Sequence, residues 1–144
     1  MRRDDVDLVY IATPPFLHHP QTISASRAGK HVICEKPLAL TIGQADELIE
    51  AAGRCDLLIV ANLMQRYNPL FGMVRKLIDS RTLGEPLHGY FENYAGDKGL
   101  PSGHWFWDRT KSGSIFVEQA GTSSICLPDD PVRVGSQRPS RSAG

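Results

Sequence analysis

Two stretches of sequence decide the fold: VDLVYIA at residues 6–12 and HVIC at residues 31–34. Both are short, nearly continuous apolar runs rich in β-branched residues, which is typical of strands buried on both faces of a parallel sheet. Pro14 follows the first run and cannot extend a sheet ladder, so that strand ends before it. Residues from about 20 to 28 favour a helix, and Gly29 suits the left-handed position just beyond its end. The pattern therefore predicts strand, helix, strand.

A second helix and a third strand follow. Thr41 and Gln44 have the spacing of a capping box, in which each side chain bonds a free backbone N–H of the first turn. Apolar residues then recur at helical spacing: Ala45, Leu48, Ile49 and Ala52. Residues 56–61, DLLIVA, are predicted as a third buried strand. The alternation predicts that residues 1–62 are half of a doubly wound α/β domain with a parallel sheet.

The pattern changes after Asn62. Pro69 suits the first position of a helix, whose apolar residues recur at helical spacing as far as Ile78. Beyond it the sequence predicts a turn at 83–86, a half-exposed strand at 87–94 and a loop at 96–111. We interpret residues 63–118 as the start of an α+β substrate and oligomerisation domain. Residues 119–144, rich in proline, serine and glycine, are predicted to be an unstructured tail.

The composition excludes several classes of protein. Sixteen basic and sixteen acidic side chains give no net charge, and hence no electrostatic attraction to nucleic acid or an anionic membrane. No apolar run approaches the roughly 20 residues that span a bilayer. Cys34, Cys55 and Cys126 are widely spaced and fit neither a disulfide framework nor a CxxC metal site. We expect reduced thiols, a cytoplasmic location and no bound metal.

Polar residues follow each predicted strand. In an open parallel sheet, ligands bind where the carboxyl ends of the strands meet. The residues are Thr13, Pro14 and His18 after the first strand, Glu35, Lys36 and Pro37 after the second, and Asn62, Gln65 and Arg66 after the third. Each group alone also fits an ordinary turn or a charged loop. Their occurrence at three successive strand ends favours a dinucleotide site.

The chain resembles a known family of oxidoreductases. Residues 6–39, VDLVYIATPPFLHHPQTISASRAGKHVICEKPLA, match the Gfo/Idh/MocA signature, approximately D-h-V-h-I-A-T-P-x-x-x-H, a helix, then G-K-H-V-h-x-E-K-P-h-A, where h is apolar. Further segments are similar to later parts of the family pattern: NLMQRYNPLF at 62–71, RTLGEPLHGYF at 81–91, and Trp107 followed by SGSIFVE at 112–118. The resemblance covers roughly residues 4–118. It implies that residues 1–62 are the C-terminal half of a doubly wound (Rossmann-type) parallel sheet, a partial dinucleotide-binding domain.

The resemblance implies roles for individual residues. The implied cofactor-binding set is Thr13, Pro14, His18, Glu35, Lys36, Pro37 and Arg66. Thr13 and Pro14 would line the ribose and diphosphate of NAD or NADP, and His18 would lie near the ribose distal to the adenine. Glu35 and Arg66 would contact the nicotinamide side of the cofactor.

Lys36 is the implied catalytic residue, bridging the nicotinamide ribose and the substrate hydroxyl. Oxidation of an alcohol removes a hydride, which the cofactor accepts, and a proton, which the protein must accept. Desolvation and the positive charge of an oxidised nicotinamide favour the neutral amine, so Lys36 can act as that base. In the family the bond after this lysine is often cis, which costs only about 0.5–1 kcal/mol before a proline such as Pro37.

Two features of the family pattern are missing. The sequence has no G-x-G-x-x-G turn to hold the diphosphate, so we expect the chain to be incomplete at its start. The family's D-x-G-x-H histidine motif is also missing: Glu118 stands at its acidic position, but residues 119–126 continue as QAGTSSIC.

A shifted reading frame would restore that motif. One back-translation of residues 121–126, GGC ACT TCT TCG ATC TGT, read two nucleotides further on, encodes His-Phe-Phe-Asp-Leu. We therefore hypothesise a frameshift near Gln119, with a divergent C-terminus as the alternative. The DNA tests this hypothesis, because the shifted frame should continue as family-like protein.

The leading functional hypothesis is an NAD- or NADP-dependent dehydrogenase acting on a sugar, inositol or related polyol, a homo-oligomer in its full-length form. One alternative shares the fold but cleaves glycosides, with bound nicotinamide cofactor oxidising the sugar transiently. The other alternative is an inactive gene remnant, since the glycine-rich turn and the histidine are missing.

Overall fold

The computed structural model describes residues 3–85, 87, 99–114, 117 and 133–134 of the 144-residue chain. It divides into two compact units. The first comprises Met1–Asn62 with Pro131–Gly144, and the second comprises Leu63–Asp130. In the described ranges, no helix is long and apolar enough to cross a membrane.

The first unit alternates strands and helices as predicted. Its elements are β1 (Leu8–Ile11), α1 (Pro15–Arg27), β2 (His31–Glu35), α2 (Ile42–Cys55) and β3 (Ile59–Asn62). The three strands form a parallel sheet in the order β1-β2-β3. Tyr10 lies opposite Ile33, and Glu35 lies opposite Asn62. This is the Rossmann-type α/β arrangement that the apolar runs predict.

The prediction that the strands are buried on both faces is wrong. One face is fully covered: Ile11, Val32, Cys34 and Ile59 form a core with Ala25 of α1 and Ala52 of α2. On the other face, the exposed fractions are 48% for Leu8 and 51% for Tyr10. The reason is topological. Crossover connections keep one hand, so two successive crossovers in the same direction bring both helices to the same face.

Helix α1 begins earlier than predicted. Pro15 occupies its first turn, and Pro20, the expected start, lies inside the helix. The additional segment before Pro20 packs against the rest of the unit, since Pro15 and His18 are buried. The predicted end is confirmed, since Gly29 follows the helix with a φ of +70°.

The capping box of α2 is confirmed in one half only. The Thr41 hydroxyl accepts a hydrogen bond of 3.2 Å from the Gln44 backbone N–H, as predicted. The Gln44 side chain, however, accepts from the backbone N–H of Leu40 at 2.9 Å, one residue before the expected donor. The loop before Thr41 is thus tied to the first turn of the helix.

The second unit is described in part. Its elements are a 3-10 turn (Met64–Tyr67), α3 (Pro69–Asp79), a 3-10 turn (Trp105–Trp107) and α4 (Arg109–Ser112). Pro69 opens α3 as predicted, and the Asn68 side chain accepts a hydrogen bond of 3.0 Å from the Leu70 N–H. The predicted loop at 96–111 contains the second 3-10 turn and part of α4. Of the strand predicted at 87–94, all but Leu87 lies outside the described residues.

Only two residues of the predicted unstructured tail are described. Arg133–Val134 forms β4, which pairs antiparallel with β3 at Val60 and Ile59. Here the structure differs from the prediction, because an open strand edge offers unpaired backbone groups to any nearby segment. The rest of residues 119–144 lies outside the described residues, where the prediction stays a prediction.

The buried thiol of Cys34 should make the folded protein less stable at alkaline pH. Burial raises the pKa of Cys34 to about 11, although the Thr22 hydroxyl offsets part of the rise. In the unfolded chain the thiol loses its proton at a lower pH than in the folded protein. The stability that the buried neutral thiol contributes is therefore complete below the ordinary thiol pKa and is lost as pH rises towards 11. We expect the free energy of unfolding to fall by up to about 1.4 kcal/mol per pH unit in that window.

Urea unfolding at pH 7, 9 and 10 measures this effect. The matched variant is Cys34→Ala, which keeps a small apolar side chain and removes the titrating group. Its stability should depend less steeply on pH than that of the wild type. Equal slopes for the two proteins would contradict the prediction.

Candidate functional site

The carboxyl ends of the three parallel strands meet at one edge of the sheet. Glu35 and Asn62 are the last residues of β2 and β3 and are paired in register. Thr13 lies in the loop after β1, and Lys36 and Pro37 directly follow β2. The structure therefore brings together the polar groups that the sequence predicts at three strand ends, within the first unit.

A hydrogen-bonded triad spans the three strands on the open face of the sheet. The Tyr10 hydroxyl donates to Glu35 Oε1 at 2.5 Å, and Asn62 Nδ2 donates to the same oxygen at 2.7 Å. Asn62 Nδ2 also lies 3.1 Å from the Tyr10 hydroxyl oxygen. Tyr10 is not among the site residues predicted from the sequence. No local signal marks it, because its partners, Glu35 and Asn62, lie on other strands.

The triad controls the charge of its members. Burial alone would raise the pKa of the Glu35 carboxyl, but the hydrogen bonds from Tyr10 and Asn62 and the proximity of Lys36 outweigh it and lower that pKa. The same bond raises the pKa of Tyr10, because it stabilises the phenol against the phenolate. Glu35 is thus held as a carboxylate, with its side chain fixed immediately before Lys36.

The residues after Glu35 form a corner. The Lys36–Pro37 peptide bond is cis, as the family resemblance implies. The Pro37 carbonyl oxygen lies 2.8 Å from Nδ1 of His18, a residue of α1. Lys36 therefore lies between two fixed groups, the Glu35 carboxylate before it and the Pro37 carbonyl after it.

His18 is buried, with an exposed fraction of 1%. Its second ring nitrogen, Nε2, lies 2.6 Å from the carbonyl oxygen of Thr13. The ring thus contacts the main chain of both loops at this edge. The predicted contact of His18 with a cofactor ribose stays a prediction.

The loop between β1 and α1 presents Thr13 and Pro14. The Thr13 hydroxyl donates to Gln21 Oε1 at 2.8 Å, which fixes the loop against α1. Pro14 is the N-cap residue of α1, and no side chain caps this helix. The first turn of α1 contains no acidic residue, so its amide groups can face an anion without electrostatic repulsion.

Arg66 belongs to the second unit, on the 3-10 turn that follows β3 in sequence. Its Nε is buried and has no hydrogen-bond partner among the described residues. Gln65, its neighbour, accepts a hydrogen bond of 3.3 Å from the Asn68 side chain. An unpaired buried guanidinium nitrogen is suited to a ligand acceptor.

Other sequence predictions concern different parts of the chain. Glu118 and residues 119–126, where the histidine motif is missing, lie outside the described residues. Among the residues that the structure does describe, no group of three or more His, Cys, Asp or Glu side chains could hold a metal ion.

A parallel sheet with a Thr-Pro turn, a Glu-Lys-Pro corner and an uncapped helix N-terminus at its carboxyl edge defines a nucleotide-binding α/β domain. Residues 1–62 match the GFO_IDH_MocA model, described as an oxidoreductase family with an NAD-binding Rossmann fold. Through this domain, the chain belongs to the Gfo/Idh/MocA oxidoreductase family.

Individual relatives support this assignment. The chain is 35% identical to a 1,5-anhydro-D-fructose reductase of Ensifer adhaerens over 88% of its own length and 39% of the relative's. It is 30% identical to a 2,7-anhydro-N-acetylneuraminate hydratase of Mediterraneibacter gnavus, over 77% of its own length and 30% of the relative's. The chain also superposes on the crystal structure of an aldose-aldose oxidoreductase from Caulobacter crescentus complexed with glycerol, with a TM-score of 0.71 and 28% identity. The match covers 90% of this chain and 39% of that protein. The chain thus spans at most about two fifths of each of these proteins.

The triad predicts the titration of Tyr10. In Glu35→Gln the acceptor of the phenol hydrogen bond loses its charge, so the pKa of Tyr10 should fall back towards its ordinary value near 10. Phenolate absorbance during an alkaline titration measures this change. Tyr10→Phe identifies which of the four tyrosines is responsible, because that variant lacks the late-titrating phenol. An unchanged titration curve in Glu35→Gln would contradict the triad.

Proposed function

We propose that the protein is an NAD- or NADP-dependent oxidoreductase that transfers a hydride between the nicotinamide cofactor and a sugar, inositol or related polyol. The observation that carries the proposal is the position of Lys36. It follows the carboxyl end of the central strand, between the bonded carboxylate of Glu35 and the bonded carbonyl of Pro37. A catalytic base must be held in this way before it can meet a substrate hydroxyl repeatedly in one geometry.

The residues at this edge suit a dinucleotide. The first turn of α1 has no acidic residue and, among the described residues, no side-chain cap, so the diphosphate meets no negative charge there. Pro15 has no N–H and the Leu17 N–H donates to the Pro14 carbonyl, which leaves the other amides of the turn for the diphosphate. Thr13 and Pro14 begin that turn, and we assign them to the ribose and diphosphate. Glu35 and Arg66 are assigned to the nicotinamide side, Glu35 as a carboxylate and Arg66 through its unpaired buried nitrogen.

Each residue then has a task in the reaction. When bound, the cofactor supplies the hydride acceptor or donor. Lys36 takes the proton from the substrate hydroxyl at Nζ during oxidation and returns it during reduction. Tyr10 and Asn62 keep Glu35, the residue before Lys36, ionised and fixed in position. The substrate is oriented by residues beyond this edge.

Sugars are the favoured class of substrate. The reductase from Ensifer adhaerens and the aldose-aldose oxidoreductase from Caulobacter crescentus are both named for sugar chemistry. Hydroxyl-rich substrates also fit a lysine base, because an alcohol must lose its proton as its hydride leaves. We propose in addition a cytoplasmic location, consistent with the free buried thiol of Cys34, and, from the family resemblance, a homo-oligomer for the full-length form.

A second candidate function is favoured by one relative. The Mediterraneibacter gnavus protein is named a hydratase, so similar chains are not confined to reactions named for net oxidation or reduction. The corresponding alternative here is an enzyme that oxidises its sugar transiently, as in cofactor-assisted glycoside cleavage. Product analysis separates the two, because a dehydrogenase accumulates reduced cofactor at 340 nm and the alternative forms product without it.

Binding of the cofactor is the first measurement. Calorimetric titration of the 144-residue chain with NAD⁺ and with NADP⁺ should give a dissociation constant in the micromolar range for one of them, about −8 kcal/mol. Such binding would exclude the inactive remnant. Absence of binding to both cofactors would contradict the proposed function for this chain.

Replacement of the base is the second measurement. Lys36→Met keeps the length of the side chain and removes the amine, so kcat for polyol oxidation should fall by about 10²- to 10⁴-fold. Lys30→Met is the matched control, because Lys30 lies before the amino end of the same strand. Its kcat should equal that of the wild type. Equal losses in both variants, with unchanged thermal stability, would remove Lys36 from the reaction.

A further inference from the structure

Apart from the cofactor-ribose contact that the family resemblance implies, His18 of α1 is a buried polar residue with no task in the proposed reaction. His18 has an exposed fraction of 1%, in a helix whose other buried side chains are small or apolar. Burying a polar ring costs free energy unless its nitrogens are hydrogen-bonded. Both nitrogens lie within hydrogen-bond distance of a carbonyl oxygen, Nδ1 2.8 Å from that of Pro37 and Nε2 2.6 Å from that of Thr13.

Both partners of the ring are acceptors. A neutral imidazole can therefore donate to only one of the two carbonyl oxygens, whereas a protonated ring can donate to both. The two contacts are also unlike ordinary helix contacts, because neither partner belongs to α1. One carbonyl is in the loop after β1 and the other is in the loop after β2. The ring is therefore a bridge between two loops that are 24 residues apart in sequence (13 to 37).

Ser26 shows what a purely local contact looks like. It is also buried on α1, with an exposed fraction of 2%. Its hydroxyl donates to the carbonyl of Thr22 at 2.9 Å, one helical turn earlier. That bond stabilises the helix and reaches neither loop. His18 and Ser26 are thus both buried polar residues of α1, but only His18 contacts residues outside the helix.

We propose that His18 is a positioning residue, which sets the distance between the Thr13–Pro14 loop and the Lys36–Pro37 corner. This inference rests on the proposed function, in which the first loop holds the cofactor and the second carries the base. The Nδ1 contact holds the corner and hence the backbone of Lys36. The Nε2 contact holds the loop against which the cofactor lies. The carboxylate triad fixes the residue before Lys36, and His18 fixes the residue after it.

Two conservative variants separate the two contacts. The amide of His18→Asn stands in for Nδ1 and keeps the contact with Pro37, and the amide of His18→Gln stands in for Nε2 and keeps the contact with Thr13. His18→Gln should lower kcat by about 10- to 100-fold with little change in cofactor affinity, because Lys36 is displaced. His18→Asn should keep kcat and weaken cofactor binding by about 3- to 10-fold, the value of one hydrogen bond. Ser26→Ala, the control, should change thermal stability alone.

A measurement on the protein without cofactor distinguishes failure of the proposed function from failure of the positioning role of His18. Backbone amide chemical shifts should change at Lys36 and Leu38 in His18→Gln, and at Thr13 in His18→Asn. If the wild type binds neither NAD⁺ nor NADP⁺ but the shifts divide in this way, the proposed function fails and the bridge stands. If both variants change the same amides, or lose kcat and affinity together in proportion to their loss of thermal stability, the positioning role is overturned.

Discussion

The parallel register of β1, β2 and β3 is the constraint on which the rest of the structure depends. Because the strands run in the same direction, their carboxyl ends meet at one edge, and Glu35 comes to lie beside Asn62. Tyr10 reaches the same carboxylate from the first strand. A shift of one residue in any strand would move these side chains to the opposite face. Register thus decides whether the triad forms and where Lys36 lies relative to it.

The second constraint is that the two helices lie on one face of the sheet. They bury Cys34 and Val32 on that face, while the triad forms on the other. The corner at Lys36 is held from both sides, by a carboxylate network on the open face and by the ring of His18 on the covered face. The geometry of the Lys36 corner and the packing of the core are therefore linked through α1, because His18, which contacts both loops, is also part of the helix's buried surface.

Local features were predictable because they depend on neighbouring residues. The apolar runs, Gly29 after α1, the Thr41 hydroxyl at the start of α2 and Pro69 at the start of α3 are each confirmed. The predicted start of α1 at Pro20 is wrong. Pro20 carries the same local helix-start signal as Pro15, and only packing in the folded domain distinguishes the two prolines. Predicted residues near the strand ends do meet, but the partner of Glu35 in the first strand, Tyr10, was missed because cross-strand contacts carry no local signal.

The sequence by itself determined the order of strands and helices, the family, and the residues that the family motif places at the sheet edge. These follow from periodicity, turn chemistry and a specific string of residues. Only the tertiary structure decided which face of each strand is covered, which side chains bond Glu35, and that His18 lies between two carbonyl groups. The physical reason is that each of these depends on the relative position of segments distant in sequence, which pairing and packing set together.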